Sequence, residues 1–112
     1  MNAMLCHQDA IKENQTRSFT VDLFGRSQEI FLLKHDGEIK AFLNHCPHLG
    51  VPLNWQPDDF LSLERTHIQC ATHGALFTLE TGDCISGPCR GQALTPVAIS
   101  ISDSGDICLA NQ

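Results

Sequence analysis

An all-β fold, an antiparallel sandwich or small barrel, is what this 112-residue chain predicts, and three observations carry the prediction. Short runs rich in β-branched and aromatic residues recur along the chain, Gly, Asp and Pro punctuate them at close spacing, and no stretch sustains a helical period. Many short strands between frequent turns describe packed sheets rather than packed helices.

Taken in order, "TRSFTVDLF" (16–24), "QEIFLLK" (28–34) and "EIKAFLN" (38–44) show the partial alternation of half-buried strands. The last two are joined by "HDG", where Gly37 can adopt a positive φ, so the three form a meander. "HIQC" (67–70) and "ALFTL" (75–79) read as short strands, and "ETGD" (80–83) turns the chain into "CIS" (84–86). The end supplies "LTPVAISIS" (94–102), the turn "DSGD" (103–106) and "ICLA" (107–110), a closing hairpin. Any helix is expected to be a turn or two near "QPDDFLSLE" (56–64).

With 42% hydrophobic and 18% charged residues, the chain has an adequate core for one domain spanning residues 1–112 without a disulfide framework. A net charge of −6 repels phosphate backbones, which argues against nucleic-acid binding and favours a protein partner with a basic surface. The first residues, "MNAMLCHQDAIKENQ", lack the basic-then-apolar pattern of an export signal, and no window reaches membrane-spanning length. The expectation is therefore a cytoplasmic protein with no membrane partner, in which Cys6 is an incidental thiol. In a reducing compartment, clustered Cys and His point to metal rather than to disulfides.

The cluster is explicit. Cys46-Pro47-His48 is followed, after twenty-one residues, by Cys70-Ala71-Thr72-His73, with Gly50 and Gly74 just beyond the two pairs. Each arm offers one thiolate and one imidazole, and each glycine lets a loop backbone bend sharply around an inorganic group. Two chemistries fit: one tetrahedral zinc ion bound by all four side chains, or a 2Fe-2S cluster with both cysteines on one iron and both histidines on the other. The one-residue gap in Cys46-Pro47-His48 puts both ligands on one side of an extended segment, and each arm mixes the ligand types where zinc fingers usually segregate them.

"CPHLG" and "CATHGALF", followed by "TGDCISGPC" and "LTPVAISI", resemble the Rieske-type 2Fe-2S ferredoxin family from about Glu38 through the last hairpin. The resemblance implies a Rieske-like antiparallel β-sandwich with the cluster held at one tip by loops at about 44–52 and 70–77. It assigns Cys46 and Cys70 to one iron and His48 and His73 to the other. Leu49, Gly50 and Gly74 surround the ligands, Gly87-Pro88 resembles the family's third loop, which covers the cluster, and Phe77 matches an aromatic that packs beneath the second arm. High-potential members carry an extra cysteine in each arm, forming a disulfide, and a serine that hydrogen-bonds a bridging sulfide; this chain has Val51, Thr72 and Ala75 there. Without those hydrogen bonds the added electron is less stabilised, so the expected potential lies nearer roughly −150 than +300 mV.

The implied function is a soluble carrier of single electrons between a reductase and a terminal oxygenase or reductase, not an enzyme, since the chain shows no flavin or dinucleotide motif and no second metal site. Replacing two thiolates by neutral imidazoles brings the oxidised cluster from a formal charge of about −2 to near zero, which eases its reduction. Alternatives are an accessory subunit of an oxidoreductase, a redox sensor using Cys84 or Cys89, and a structural zinc domain. The twenty-one-residue spacer between the arms is longer than in common ferredoxin-type members, and its excess, in 54–67, is expected to be either a flank of the docking surface or a solvated loop. Trp55 is expected to cover that loop rather than to line a docking face, and His45 to be a turn or outer contact. His7, His35 and His67 read as surface or strand positions, Cys84 and Cys89 as thiols, and Cys108 as a strand residue facing the core.

Overall fold

The computed structural model describes residues 4–23, 25–45, 53, 60–62, 64–70, 74–87 and 91–110. Among these the fold is antiparallel β, in three three-stranded sheets. The central sheet orders β2 (Thr16–Leu23), β3 (Arg26–His35) and β4 (Glu38–Leu43). A second joins β5 (Ile68–Gln69), β6 (Leu76–Phe77) and β7 (Cys84–Ser86), and a third places β9 (Asp106–Leu109) between β1 (Met4–His7) and β8 (Ile99–Ile101).

The run Ile30-Phe31-Leu32-Leu33 explains the layering. All four residues are buried, and because successive strand side chains point to opposite faces, the run feeds two cores. Phe31 and Leu33, with Phe42 of β4, pack against Leu53, Phe60, Ile68, Cys70, Ala75, Phe77, Leu79, Cys84 and Leu94. Ile30 and Leu32, with Ala41, pack on the other side against Ile11, Val21, Leu23, Val97, Ile107 and Leu109. The central sheet is thus sandwiched between the other two.

The β3–β4 hairpin turns through Asp36 (φ 53°) and Gly37 (φ 75°), with His35 paired to Glu38, the two-residue left-handed turn that an Asp-Gly pair favours. The Glu13 carboxylate accepts the Gly37 and Asp36 N–H groups at 3.1 and 2.6 Å, which pulls its own pKa below the usual carboxylate range. Its oxygens lie near His35 and Asp36, but they are engaged by the turn, so turn geometry accounts for that polar cluster. Beyond β7, the bridges Asp83–Ala93 and Phe42–Pro96 carry the chain from the second sheet to the edge of β4.

Three expectations change. β1 and a 3-10 turn at Gln8–Ala10 precede the meander; β1 is held by β9 through the pairs Met4–Cys108 and Cys6–Ile107. In 56–64, the described residues are not helical: Leu61 bridges Ile68 and Phe60 enters the core, so this part of the spacer runs back along β5. Cys108 points away from the core, because its neighbours Ile107 and Leu109 take the inward positions of β9.

Candidate metal centre

The second candidate ligand arm is closed by backbone hydrogen bonds between its described ends. The Cys70 N–H donates to Ala75 O and the Gly74 N–H to Cys70 O, both at 2.8 Å, so residues 70 and 75 face each other across the turn. Gly74 turns with φ 69°, a conformation costly for other residues. Cys70, Ala75 and Phe77 are fully buried in the same apolar cluster, so Phe77 lies in the core that carries Cys70.

Gly87 comes against this arm from β7. A Cβ placed on Gly87 would sit 2.8 Å from Ala75 Cα, an approach that only glycine permits, and its φ of 103° excludes other residues a second time. Gly87, Ala75 and Cys70 are therefore brought to one place. Cys46, His48, Leu49, Gly50, Val51, Trp55, Thr72, His73, Pro88 and Cys89 lie outside the described residues.

The first arm is visible at its two ends, and here the structure brings in a residue that sequence reasoning passed over. Asn44 is buried where β4 ends. Its N–H donates to Glu29 O at 2.9 Å, its Nδ2 donates to Glu29 Oε1, and its Oδ1 accepts the Leu53 N–H at 2.7 Å. His45 is exposed, and its N–H closes a tight turn onto Leu43 O at 2.9 Å.

Among the described residues, Cys84, His7, His35 and His67 have hydrogen-bond partners elsewhere. The buried Cys84 Sγ donates to Ser86 O at 3.3 Å. Burial pushes the Cys6 thiol up, against a smaller opposing pull from Arg17, which disfavours the reactive thiolate. His7 Nε2 pairs with Ser104 O, His35 with Glu80 and His67 with Thr66.

The buried Cys70 thiol, at the base of a hydrogen-bonded loop with a glycine backbone laid against it, suits one arm of the Cys and His donor set expected from the sequence, a set that fits an iron–sulfur cluster. The sequence profile of the family described as Rieske [2Fe-2S] domain matches residues 1–101, and the chain belongs to that family. Membership implies a 2Fe-2S cluster as the cofactor.

In sequence the chain is similar to apoptosis-inducing factor 3 of Mus musculus and of Homo sapiens, 32% identical over 83 residues, which is 74% of this chain. It spans only 12% of those proteins. In fold it is similar to the Sphingomonas yanoikuyae B1 ferredoxin, with a TM-score of 0.70, 23% identity and all of both chains covered. It is similar also to the ferredoxin of carbazole 1,9a-dioxygenase from Nocardioides aromaticivorans IC177, with a TM-score of 0.71, 19% identity and 100% and 99% of the two chains covered. The terminal oxygenase of carbazole 1,9a-dioxygenase from Novosphingobium sp. KA1 matches at a TM-score of 0.71 and 19% identity, with 99% of this chain covering 30% of that one. Among the described residues, no helix is long and apolar enough to cross a membrane.

Proposed function

We propose that this chain is a Rieske-type ferredoxin, one domain over residues 1–112, that carries single electrons to an oxygenase or reductase. The family match over residues 1–101 is the observation that carries the reading. In it Cys46 and Cys70 hold one iron and His48 and His73 the other, with Leu49, Gly50, Gly74, Phe77, Gly87 and Pro88 around them. When bound, the cluster supplies reversible one-electron chemistry.

The chain's own residues supply the setting. The apolar cluster around Cys70 excludes water from the thiolate side and lowers the local dielectric, while the closed 70–75 loop keeps the second arm in shape. Ala75 brings no hydroxyl to the cluster, which supports a potential at the low end of the Rieske range. The acidic chain suits a basic docking face on a reductase or terminal oxygenase in the cytoplasm, as ferredoxin components of dioxygenases are among its structural neighbours.

A second reading has one observation in its favour: the relatives similar in sequence are far longer than this chain, so the same domain also occurs as a module of larger proteins. In that reading the partner is a neighbouring domain rather than a separate protein. The burial of Cys84 weighs against its use as a thiol-based sensor; Cys89, the other thiol considered for that role, lies outside the described residues.

The test is iron and acid-labile sulfide analysis of anaerobically purified protein, with EPR of the reduced form and a potentiometric titration. About two irons and two sulfides per chain, an average g below that of all-cysteine clusters and a one-electron wave in the lower half of the range from roughly −150 to +300 mV are expected. Stoichiometric zinc with a silent spectrum after iron-replete expression would overturn the reading.

A further inference from the structure

Asn44 is the residue at which the central sheet hands the chain to the first ligand arm, and its side chain spans that arm's opening. β4 ends one residue earlier, with Leu43 paired to Ile30. Leu53, at the far end of the arm, is fully buried in the cluster that contains Cys70. The Leu53 N–H would be an orphaned buried donor without a partner, and Asn44 Oδ1 is that partner at 2.7 Å. The amide's other end is held by the Glu29 carboxylate, and the Asn44 backbone by the Glu29 carbonyl.

We propose that Asn44 is a positioning residue for the iron centre: a buried clasp that fixes the distance between the two ends of the segment holding Cys46 and His48. The inference rests on the reading above that this segment supplies half of the ligands. The chemistry of the site selects the amide. One short side chain must accept from Leu53 and donate to Glu29 at once, which asparagine does. Aspartate keeps the acceptor but sets a second carboxylate against Glu29, leucine keeps the volume and loses both bonds, and serine is too short to span the gap.

The physical consequence is preorganisation. A loop with both ends fixed to β3 and β4 loses less chain entropy when its side chains converge on a metal group, and it releases that group more slowly. The second arm obtains the same closure from backbone alone, through Cys70 and Ala75. The first arm, being longer, needs a side chain to bridge it.

The experiment compares the full loaded chain with Asn44→Leu, Asn44→Asp, Glu29→Gln and, as a control in the opposite core, Ile107→Val. Three quantities are read: iron and sulfide content, the rate at which visible cluster absorption decays on mixing with an iron chelator, and the width of the reduced EPR signal. Losing a buried hydrogen-bonded partner is expected to speed release in Asn44→Leu about tenfold and to broaden the signal. Asn44→Asp, which keeps the acceptor, falls between, and Glu29→Gln stays within about twofold because its amide oxygen still accepts. Ile107→Val lowers the urea midpoint without changing release or line shape.

Release at the wild-type rate in a folded Asn44→Leu, or equal acceleration in Ile107→Val, overturns the inference. If Asn44→Leu does not fold, Asn44→Asp decides: faster release with a broadened signal supports the clasp, and wild-type behaviour overturns it. A wild-type chain that never shows a 2Fe-2S signal overturns the reading itself and the inference with it, whereas a loaded wild type indifferent to Asn44 overturns only the inference.

Discussion

The central sheet and the sheet that carries the second arm are built on opposite principles. β3 runs for ten residues and buries four consecutive apolar side chains, whereas β5 and β6 have two residues each. Such short strands have no independent stability. They are held by loop hydrogen bonds, such as Cys70 to Ala75 and Cys84 to Gln92, by the Gly87 approach to Ala75, and by the core that the central sheet lends them. The lesson is a division of labour: side-chain burial makes the platform, and backbone geometry makes the arm.

The sharpest way to break this comparison is at Phe31, where the two regions meet. Its ring stacks on Phe60 at 4.2 Å and 13° and lies 5.8 Å from Phe42. Phe31→Ala removes a ring that stacks on Phe60 and shares a core cluster with Cys70, Ala75 and Phe77, and is expected to cost about 3–5 kcal/mol. Urea unfolding of the loaded and iron-depleted forms checks it. A loss below about 1 kcal/mol in both would mean that the platform does not support the arm.

A smaller effect separates burial from backbone geometry. Gly25 and Gly87 both have positive φ, but a Cβ on Gly25 meets nothing within 4 Å, whereas on Gly87 it meets Ala75. Gly25→Ala is expected to cost about 1 kcal/mol, from backbone strain alone. Gly87→Ala adds overpacking of about 1–3 kcal/mol and lowers iron content per folded chain. Equal stability and iron content in the two variants would show that Gly87 is only a turn residue.

The same division explains what was legible in the sequence. The platform strands were, because alternation, the Ile30-Phe31-Leu32-Leu33 run and the Asp36-Gly37 turn each signal locally. β1 was not: "MLCH" has no alternation, and its pairing partner β9 lies about a hundred residues away. The stretch 56–64 was where any helix was expected, and the sequence there does not reveal that Phe31 and Ile68 wait for Phe60 and Leu61. Cys108 was assigned to the wrong face because every residue of "ICLA" is apolar, leaving the pairing to decide. The Cys and His pairs stood out by spacing, and the value of Gly87 came through family resemblance. Asn44 had no such signal beyond being an amide at a strand end before a Cys-x-His arm; its role is defined by Glu29 and Leu53, which are distant in sequence.

The smallest expected effect concerns the seam between the two regions, where His35 at the end of β3 reaches Glu80 in the β6–β7 turn. His35 Nε2 lies 3.1 Å from Glu80 Oε1, and Lys40 Nζ donates to the Glu80 carbonyl at 2.8 Å. The Glu80 pKa is lowered chiefly by its own backbone N–H and next by the His35 ring. A carboxylate whose folded pKa is depressed stabilises the fold fully above its unfolded value and loses that contribution as pH falls through the folded one. Glu80→Gln should therefore flatten the acid side of the stability profile, below the ordinary value of 4.5, and change the neutral side little. The Lys40 bond to main chain survives the substitution, so the turn itself stays in place. Urea midpoints from about pH 3 to about pH 7 measure this. If the variant keeps the wild-type acid slope, the seam is held by Lys40 and the shared core, and the His35–Glu80 pair contributes nothing that titrates.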